Sequence, residues 1–418
     1  FHSKYAALAQ ELTAAVPTIE HAICLDAPEG EPGSQAELFA AGAGTTVPDW
    51  GDPRGNPGKL TTIFPTGGTT GRSKLVAVDA QSWSTMTNLA ALHWPRAEHP
   101  VNLMVAPITH GAGGMAVILA GLGATILMED GFDAGEVLQR IERDRVTHIF
   151  LPPTAYYALL AHPDRDRYDF SSLKMLLVAA APVSPDKLAE GVGVFGPCLA
   201  QCWGQAEAPF MLTWLAPEVI AAASRGEHPE RLASCGTATF ASTIAVMGED
   251  GELVGTGERG ELVARGELVT PGYLGAPDET AEMRTHGWHH TGDVGYRDED
   301  GFFYIVDRLK DMIITGGFNV FSSEVEAAVL AVPGVQECAV VGVPDERWGE
   351  AVKAVVVGDG SVELDEDAIV AVCKERLGSV KAPKSVDVMA ELPKTPVGKI
   401  DKKQVRAQFW QGRERLVG

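Results

Sequence analysis

The densest chemistry in the chain lies at Phe64-Pro-Thr-Gly-Gly-Thr-Thr-Gly-Arg-Ser-Lys74. Glycines at 67, 68 and 71 let backbone N–H groups turn toward one point, and Thr66, Thr69 and Thr70 add hydroxyl donors. Arg72 and Lys74 add positive charge. Together these groups suit a polyphosphate. A Walker A loop is excluded, because the lysine follows Ser73 and not a glycine.

Two other patterns carry less. Gly191-Val-Gly-Val-Phe-Gly196 fits GxGxxG, but it follows a helical segment and runs into Pro197. A dinucleotide turn needs a strand before it and a helix after. Asp298-Glu-Asp-Gly301 resembles the head of a calcium loop, yet Phe302–Val306 reads as a strand, so the segment is expected to be a hairpin turn.

Four further segments follow the first in order: Trp203-Gly-Gln-Ala-Glu207, Thr291-Gly-Asp293, Asp307-Arg-Leu-Lys-Asp311 leading to Gly316-Gly-Phe-Asn319, and Pro393-Lys-Thr-Pro-Val-Gly-Lys399. As a set, spanning about Leu60 to Lys403, they resemble the adenylate-forming superfamily: acyl-CoA synthetases, peptide-synthetase adenylation domains and luciferases. The likeness is greatest to a bacterial acyl-CoA ligase.

The resemblance implies a role for each segment. Thr66, Gly67, Gly68, Thr69, Thr70, Gly71 and Lys74 would hold the β- and γ-phosphates of ATP. Glu207, with Thr69, would bind Mg²⁺, a hard cation that prefers carboxylate and phosphate oxygens. Trp203 would stack on adenine, with Gly204 and Gln205 in the same motif; its alternative is core packing. Ala180 and Ala181 lie where the family passes backbone along the adenine edge. Asp293 would accept the ribose hydroxyls, aided by Arg308. Lys399 would stand between the α-phosphate and the acyl carboxylate, where charge develops during adenylation. His110 would orient the carboxylate or gate the pocket. Lys310 occupies the hinge position, about which a small domain turns after adenylation. That turn would bring the face of Gly316, Gly317 and Phe318 to the site and open a path for the thiol of coenzyme A.

The implied activity is an ATP-dependent acyl-CoA ligase that forms acyl-AMP and then the thioester. The alternative is an adenylating enzyme that loads a carrier protein in trans. Val101–Met128, around the expected acyl pocket, holds no acidic residue before Glu129. An amino-acid substrate would need a carboxylate for its ammonium group, so a carboxylic acid without an α-amine is expected. The run Gly111–Gly114 suggests room for a bulky or cyclic acyl group. Two departures from the family stand out. Gly67 replaces the usual serine, and only 63 residues precede Phe64, so the early part of the first subdomain is expected to be missing.

These residues need a scaffold. Short apolar runs at 101–106, 148–151 and 175–179 alternate with amphipathic stretches such as 133–145, which indicates βαβ units on a parallel sheet. From Gly236 to Val306 the texture changes to short strands and turns, expected as a small antiparallel sheet or barrel. After Arg308, a helix at 322–330 and strands at 337–342 and 352–357 form a compact α/β stretch. The fold class is thus α/β, with a large domain over 1–307 and a small mobile α+β lid over 308–418.

Composition bounds the partners. The 418 residues carry 34 basic and 56 acidic side chains, a net charge of −22, which argues against nucleic acid. No apolar run reaches the length of a membrane span. Residues 374–418 hold 11 Lys or Arg against 5 Asp or Glu, a local basic excess suited to a lid that meets phosphates. Six scattered cysteines without a CxxC pair point to a reducing, cytoplasmic setting. A homodimer is the default expectation for a soluble enzyme.

Overall fold

Alternation of buried apolar tetrapeptides with capped helices builds the centre of the molecule. The computed structural model describes residues 1–44, 46, 56, 58–66, 74–395 and 400–410. The chain divides into two units, residues 1–55 and 56–418. In the first, α1 (Ala6–Ala15) and α2 (Gln35–Gly42) are short. Ser34 caps α2 by accepting the Glu37 N–H, while the Glu37 carboxylate accepts the Gly33 N–H at 2.6 Å.

The second unit opens with an antiparallel pair, β1 (Leu60–Thr66) and β2 (Lys74–Asp79), in which Thr66 faces Lys74. Asp79 caps α3 (Ala80–His93) through the Ser82 N–H. The alternation follows: β3 (Val101–Met104), α4 (Gly111–Gly121), β4 (Thr125–Met128), α5 (Ala134–Arg143), β5 (His148–Leu151), α6 (Pro153–Ala161), β6 (Met175–Val178), α7 (Pro185–Phe195) and β7 (Leu199–Gln205). These five strands, β3 to β7, lie parallel in the order β4-β3-β5-β6-β7. Helix α5 shows why. Asp133 caps it, and Val137, Leu138 and Ile141 bury one stripe beneath a charged face. Each buried side chain contributes about 1.5–3 kcal/mol. The GxGxxG pattern covers the C-terminal half of α7 and ends on its cap, Gly196. A Cβ at Gly191 would lie 1.7 Å from the Tyr156 hydroxyl, so that glycine serves the close approach of α6 and α7.

Beyond β7 the pairing becomes antiparallel. The strands are β8 (Ala208–Leu215), β9 (Gly236–Ala238), β10 (Ser242–Met247), β11 (Gly260–Gly266), β13 (His289–Arg297) and β14 (Phe302–Arg308), with β12 (Gly272–Tyr273) paired instead to β2. Helices α8 (Pro217–Ser224) and α9 (Pro277–Glu282) lie between them. The sheet continues as β7-β8-β9-β14-β13-β11-β10. Four strand steps separate β7 from β13, about 19 Å in a flat sheet at about 4.8 Å per step. Yet Trp203 on β7 and Asp293 on β13 hydrogen-bond at 2.8 Å. The antiparallel part therefore curls back on itself, in keeping with the small barrel expected from its turns. The Asp298–Gly301 segment is the hairpin turn between β13 and β14: Asp298 accepts the Phe302 N–H, and Gly301 has φ +85°.

The C-terminal stretch has its own sheet. Strands β15 (Ile313–Thr315), β16 (Phe318–Val320), β17 (Val335–Asp345) and β18 (Gly349–Gly358) run in the order β16-β15-β18-β17, and β19 (Ser385–Val388) lies parallel beside β18. Helices α10 (Ser322–Leu330), α11 (Glu366–Lys381) and α12 (Lys402–Ala407) complete it. Val325, Val329, Val340, Val352, Val356 and Ile369 form an apolar cluster separate from the two built on the large sheet. Among the described residues no helix is long and apolar enough to cross a membrane. All six cysteines are free, and burial pushes the thiols of Cys198, Cys202 and Cys235 up to about 12.

Candidate active site

The segment Trp203–Glu207 spans the end of β7 and its turn into β8, where the sheet changes from parallel to antiparallel. Gly204 is required there, since a Cβ would lie 2.3 Å from the Phe210 carbonyl oxygen. Glu207 is held at three points. Its carbonyl accepts the backbone N–H of Thr270 at 2.9 Å and the Thr270 hydroxyl at 3.0 Å. Its Oε1 accepts the Tyr273 hydroxyl at 2.7 Å, which leaves Oε2 for a cation. The Lys74 ammonium lies 4.7 Å from the centre of the same Tyr273 ring. One tyrosine thus joins the end of the glycine-rich segment to the candidate metal carboxylate. Burial pushes its phenol upward, and the bond to Glu207 and that residue's charge add to the effect.

The donor set fits Mg²⁺. Among the described residues no group of three or more His, Cys, Asp or Glu side chains could hold a metal, and an ion held by Glu207 would draw its other ligands from phosphate and water oxygens. That division suits a small cation that keeps much of its hydration.

The other cluster centres on Asp293. Gly292 turns at φ +69° and donates its N–H to Glu261, while the Thr291 hydroxyl donates to the Leu262 carbonyl and accepts the Asp293 N–H. The Asp293 side chain is 3% exposed, and its Oδ1 lies 2.6 Å from Nε of Arg308, its cross-strand neighbour on β14. Its Oδ2 accepts the Trp203 indole N–H at 2.8 Å. Burial pushes the carboxyl above its ordinary range, against the pull of Arg308, Trp203 and Lys310. Gln205 donates to the Thr291 carbonyl at 3.1 Å, and its Oε1 faces Nε2 of His289 at 3.1 Å. Burial lowers His289 to about 4, so the ring is neutral and Nε2 carries the hydrogen.

Ala180 and Ala181 follow β6 at the same carboxyl edge of the parallel strands, the edge where open α/β sheets take ligands. Ala180 has φ +79° without being glycine, a strain that concentrates at binding sites. His110 lies at this edge too, at the start of α4, with Nδ1 2.8 Å from the Thr109 hydroxyl. The glycines after it are filled, not open. A Cβ would stand 3.3 Å from the Phe150 ring at Gly111, 1.7 Å from the Ile108 carbonyl oxygen at Gly113, and 2.7 Å from the Phe210 ring at Gly114. The run lets α4 pack closely, so its small residues do not by themselves make room for an acyl group.

Lys310 lies in the short turn Leu309–Asp311 that links β14 to β15. Gly316 and Gly317, at φ +56° and +82°, make the tight turn between β15 and β16, with Gly316 against the Trp348 ring and Phe318 exposed. Lys399 lies outside the described residues, as do Gly67, Gly68, Thr69, Thr70 and Gly71. The chain on either side of Lys399 is pinned: Lys394 and Ile400 form a β-bridge, and the Asp401 N–H donates to the Pro393 carbonyl at 2.8 Å. Just beyond, Lys402 bonds Ser322 at 2.8 Å and Glu326 at 2.8 Å, and Asp307 accepts from the Ser322 N–H and hydroxyl. Tyr273, Thr270 and the Lys402 cluster escape a reading by motif, because each acts through partners more than 60 positions away.

Comparison with known proteins gives the family. The family described as AMP-binding enzyme matches residues 2–274, and that described as AMP-binding enzyme C-terminal domain matches residues 324–399. The medium/long-chain-fatty-acid–CoA ligase FadD8 of Mycobacterium tuberculosis is 45% identical over 370 residues, 87% of this chain and 63% of its own length. A feruloyl-CoA synthase of Amycolatopsis is 41% identical over 348 residues, 82% of this chain and 69% of its own. The solved amide bond synthetase McbA from Marinactinospora thermotolerans matches with a TM-score of 0.85 at 30% identity, covering 98% of this chain and 79% of that one. This chain therefore spans less than two thirds of the length of FadD8. The chain belongs to the AMP-binding enzymes, the adenylate-forming superfamily whose five motifs it carries in order.

Proposed function

We propose that the protein is an ATP-dependent acid–CoA ligase. In the first half-reaction the acid's carboxylate oxygen attacks the α-phosphorus of ATP, the bond to the β-phosphate oxygen breaks, and pyrophosphate leaves. In the second, the thiol of coenzyme A attacks the acyl carbonyl carbon and AMP leaves. The observation that carries this reading is the meeting of Trp203, Asp293 and Arg308 where the curled sheet closes, with Glu207 four residues beyond Trp203 in the turn that follows. In it, Asp293 accepts the ribose hydroxyls, Arg308 neutralises that buried carboxylate, and Lys74 faces the polyphosphate. A Mg²⁺ held by Glu207 and the phosphate oxygens would offset the charge on the departing pyrophosphate. Tyr273 keeps Glu207 turned toward it.

Lys399 brings an ammonium between the attacking carboxylate and the α-phosphate, where charge builds up most in the transition state. Residues 308–418 act as the lid, and Lys310 is its hinge. Coenzyme A as acceptor is supported by the names of FadD8 and the feruloyl-CoA synthase. The absence of acidic residues from Val101 to Met128 favours an acid without an α-amine.

The test is product analysis with ATP, Mg²⁺, coenzyme A and a panel of aliphatic, aromatic and cyclic acids. Equal amounts of AMP and acyl thioester with at least one acid are expected. Release of ADP, or AMP release independent of any acid, would contradict the proposal.

A further inference from the structure

The two aromatic-edge and carboxylate groups at the nucleoside end are one device. We propose that Trp203 is a positioning residue for the ribose: its indole N–H fixes the Asp293 carboxylate, so the side chain placed toward the base also sets recognition of the sugar. The inference rests on the reading of Asp293 as the ribose acceptor.

A buried carboxylate must be both kept charged and aimed. Arg308 does the first at 2.6 Å, but its side chain is 49% exposed and it stands two residues before the hinge Lys310. Trp203 sits on β7, 7% exposed and packed in the main core, with Nε1 2.8 Å from Oδ2. Its grip on Asp293 does not depend on where the chain beyond Lys310 lies. A carboxylate oxygen has two lone pairs. With one on each oxygen engaged by Arg308 and Trp203, one remains on each, which matches the two hydroxyls of a ribose. A phenylalanine or tyrosine at 203 would offer an aromatic face without a ring N–H in that place, so the donor belongs to the indole.

The experiment measures dissociation constants of ATP and 2′,3′-dideoxy-ATP, together with KM and kcat, in the full chain and in Trp203→Phe, Asp293→Ala and the double variant. A hydrogen bond to a charged acceptor corresponds to roughly a tenfold effect or more. Trp203→Phe is expected to weaken ATP about tenfold and the dideoxy analogue less than threefold, so the ratio between them collapses. KM for ATP should rise far more than kcat falls, and the double variant should lose no more than Asp293→Ala alone. Each ratio is taken within one protein, so a loss of stability does not mimic the result. Trp203→Leu, read by the same ratio, serves if Trp203→Phe does not fold. If Asp293→Ala leaves the ratio intact, the ribose assignment itself fails. If Asp293→Ala abolishes the ratio while Trp203→Phe keeps it, the positioning role alone is overturned.

Discussion

Asp293 has to stay ionised where burial favours the neutral acid. Arg308, Trp203 and Lys310 favour the charged form, Glu261 opposes it, and burial prevails, so the group titrates above the usual carboxylate range. In the proposed role, a protonated Asp293 would lose an acceptor for the ribose, so kcat/KM for ATP should fall as pH drops through that raised value. Arg308→Met removes the nearest cation, disfavours the charged form further, and should move the acid limb to higher pH. A pH profile of both proteins checks this, and an unmoved limb would count against the assignment. The metal end gives a second prediction. Glu207→Gln should lower the rate by about 100-fold. Tyr273→Phe keeps the ring under Lys74 but frees Glu207, and should raise the Mg²⁺ concentration needed by about tenfold, the size expected when a group that orients a metal ligand is lost. Rate against free Mg²⁺, and Mn²⁺ binding followed by magnetic resonance with ATP present, would measure it.

Elements were legible in the sequence where a pattern was local. The helix expected over 322–330 is α10, the amphipathic 133–145 stretch is α5, and the apolar tetrapeptides at 148 and 175 are buried parallel strands. What could not be read was closure. Trp203 and Asp293 are 90 positions apart, and their contact depends on the curl of the strands between them, which periodicity does not encode. The glycines of α4 show the same limit from the other side. A missing side chain reads equally as room or as close approach, and the Phe150 and Phe210 rings decide for approach. The Lys402 cluster is likewise tertiary. Its ammonium is held by Glu326 and Ser322, and against burial the charges of Glu326, Asp307 and Asp311 raise its pKa. Lys402→Met would leave Glu326 buried without its cation, a loss of roughly 3–5 kcal/mol. Urea unfolding followed by a probe in the C-terminal stretch would show it, and a change under 1 kcal/mol would mean the ion pair is not structural.

At the scale of the molecule, the proposed ligase runs two half-reactions at one site, and in that reading a hinge at Lys310 separates them. Lys310 lies in a short turn between the strand ending at Arg308 and the sheet that carries the Gly316–Phe318 turn. Lys310→Pro should leave adenylate formation within about threefold of the parent and slow thioester formation at least tenfold, because proline fixes one of the torsions a rotation must change. Single-turnover assays of each half-reaction separate the two, and equal loss of both would contradict the hinge. The basic excess over residues 374–418, set in a chain of net charge −22, would place positive potential on the part that the proposed lid brings to phosphate.

The central claim, that this chain joins a carboxylate to the α-phosphorus of ATP at the Trp203–Glu207–Asp293 site, is tested most directly by exchange of labelled pyrophosphate into ATP. The parent protein should exchange label only when a suitable acid is present, and Glu207→Gln, Asp293→Ala and Lys399→Ala should each reduce the rate by about 100-fold or more. Exchange that needs no acid, or that survives all three substitutions unchanged, would contradict the account.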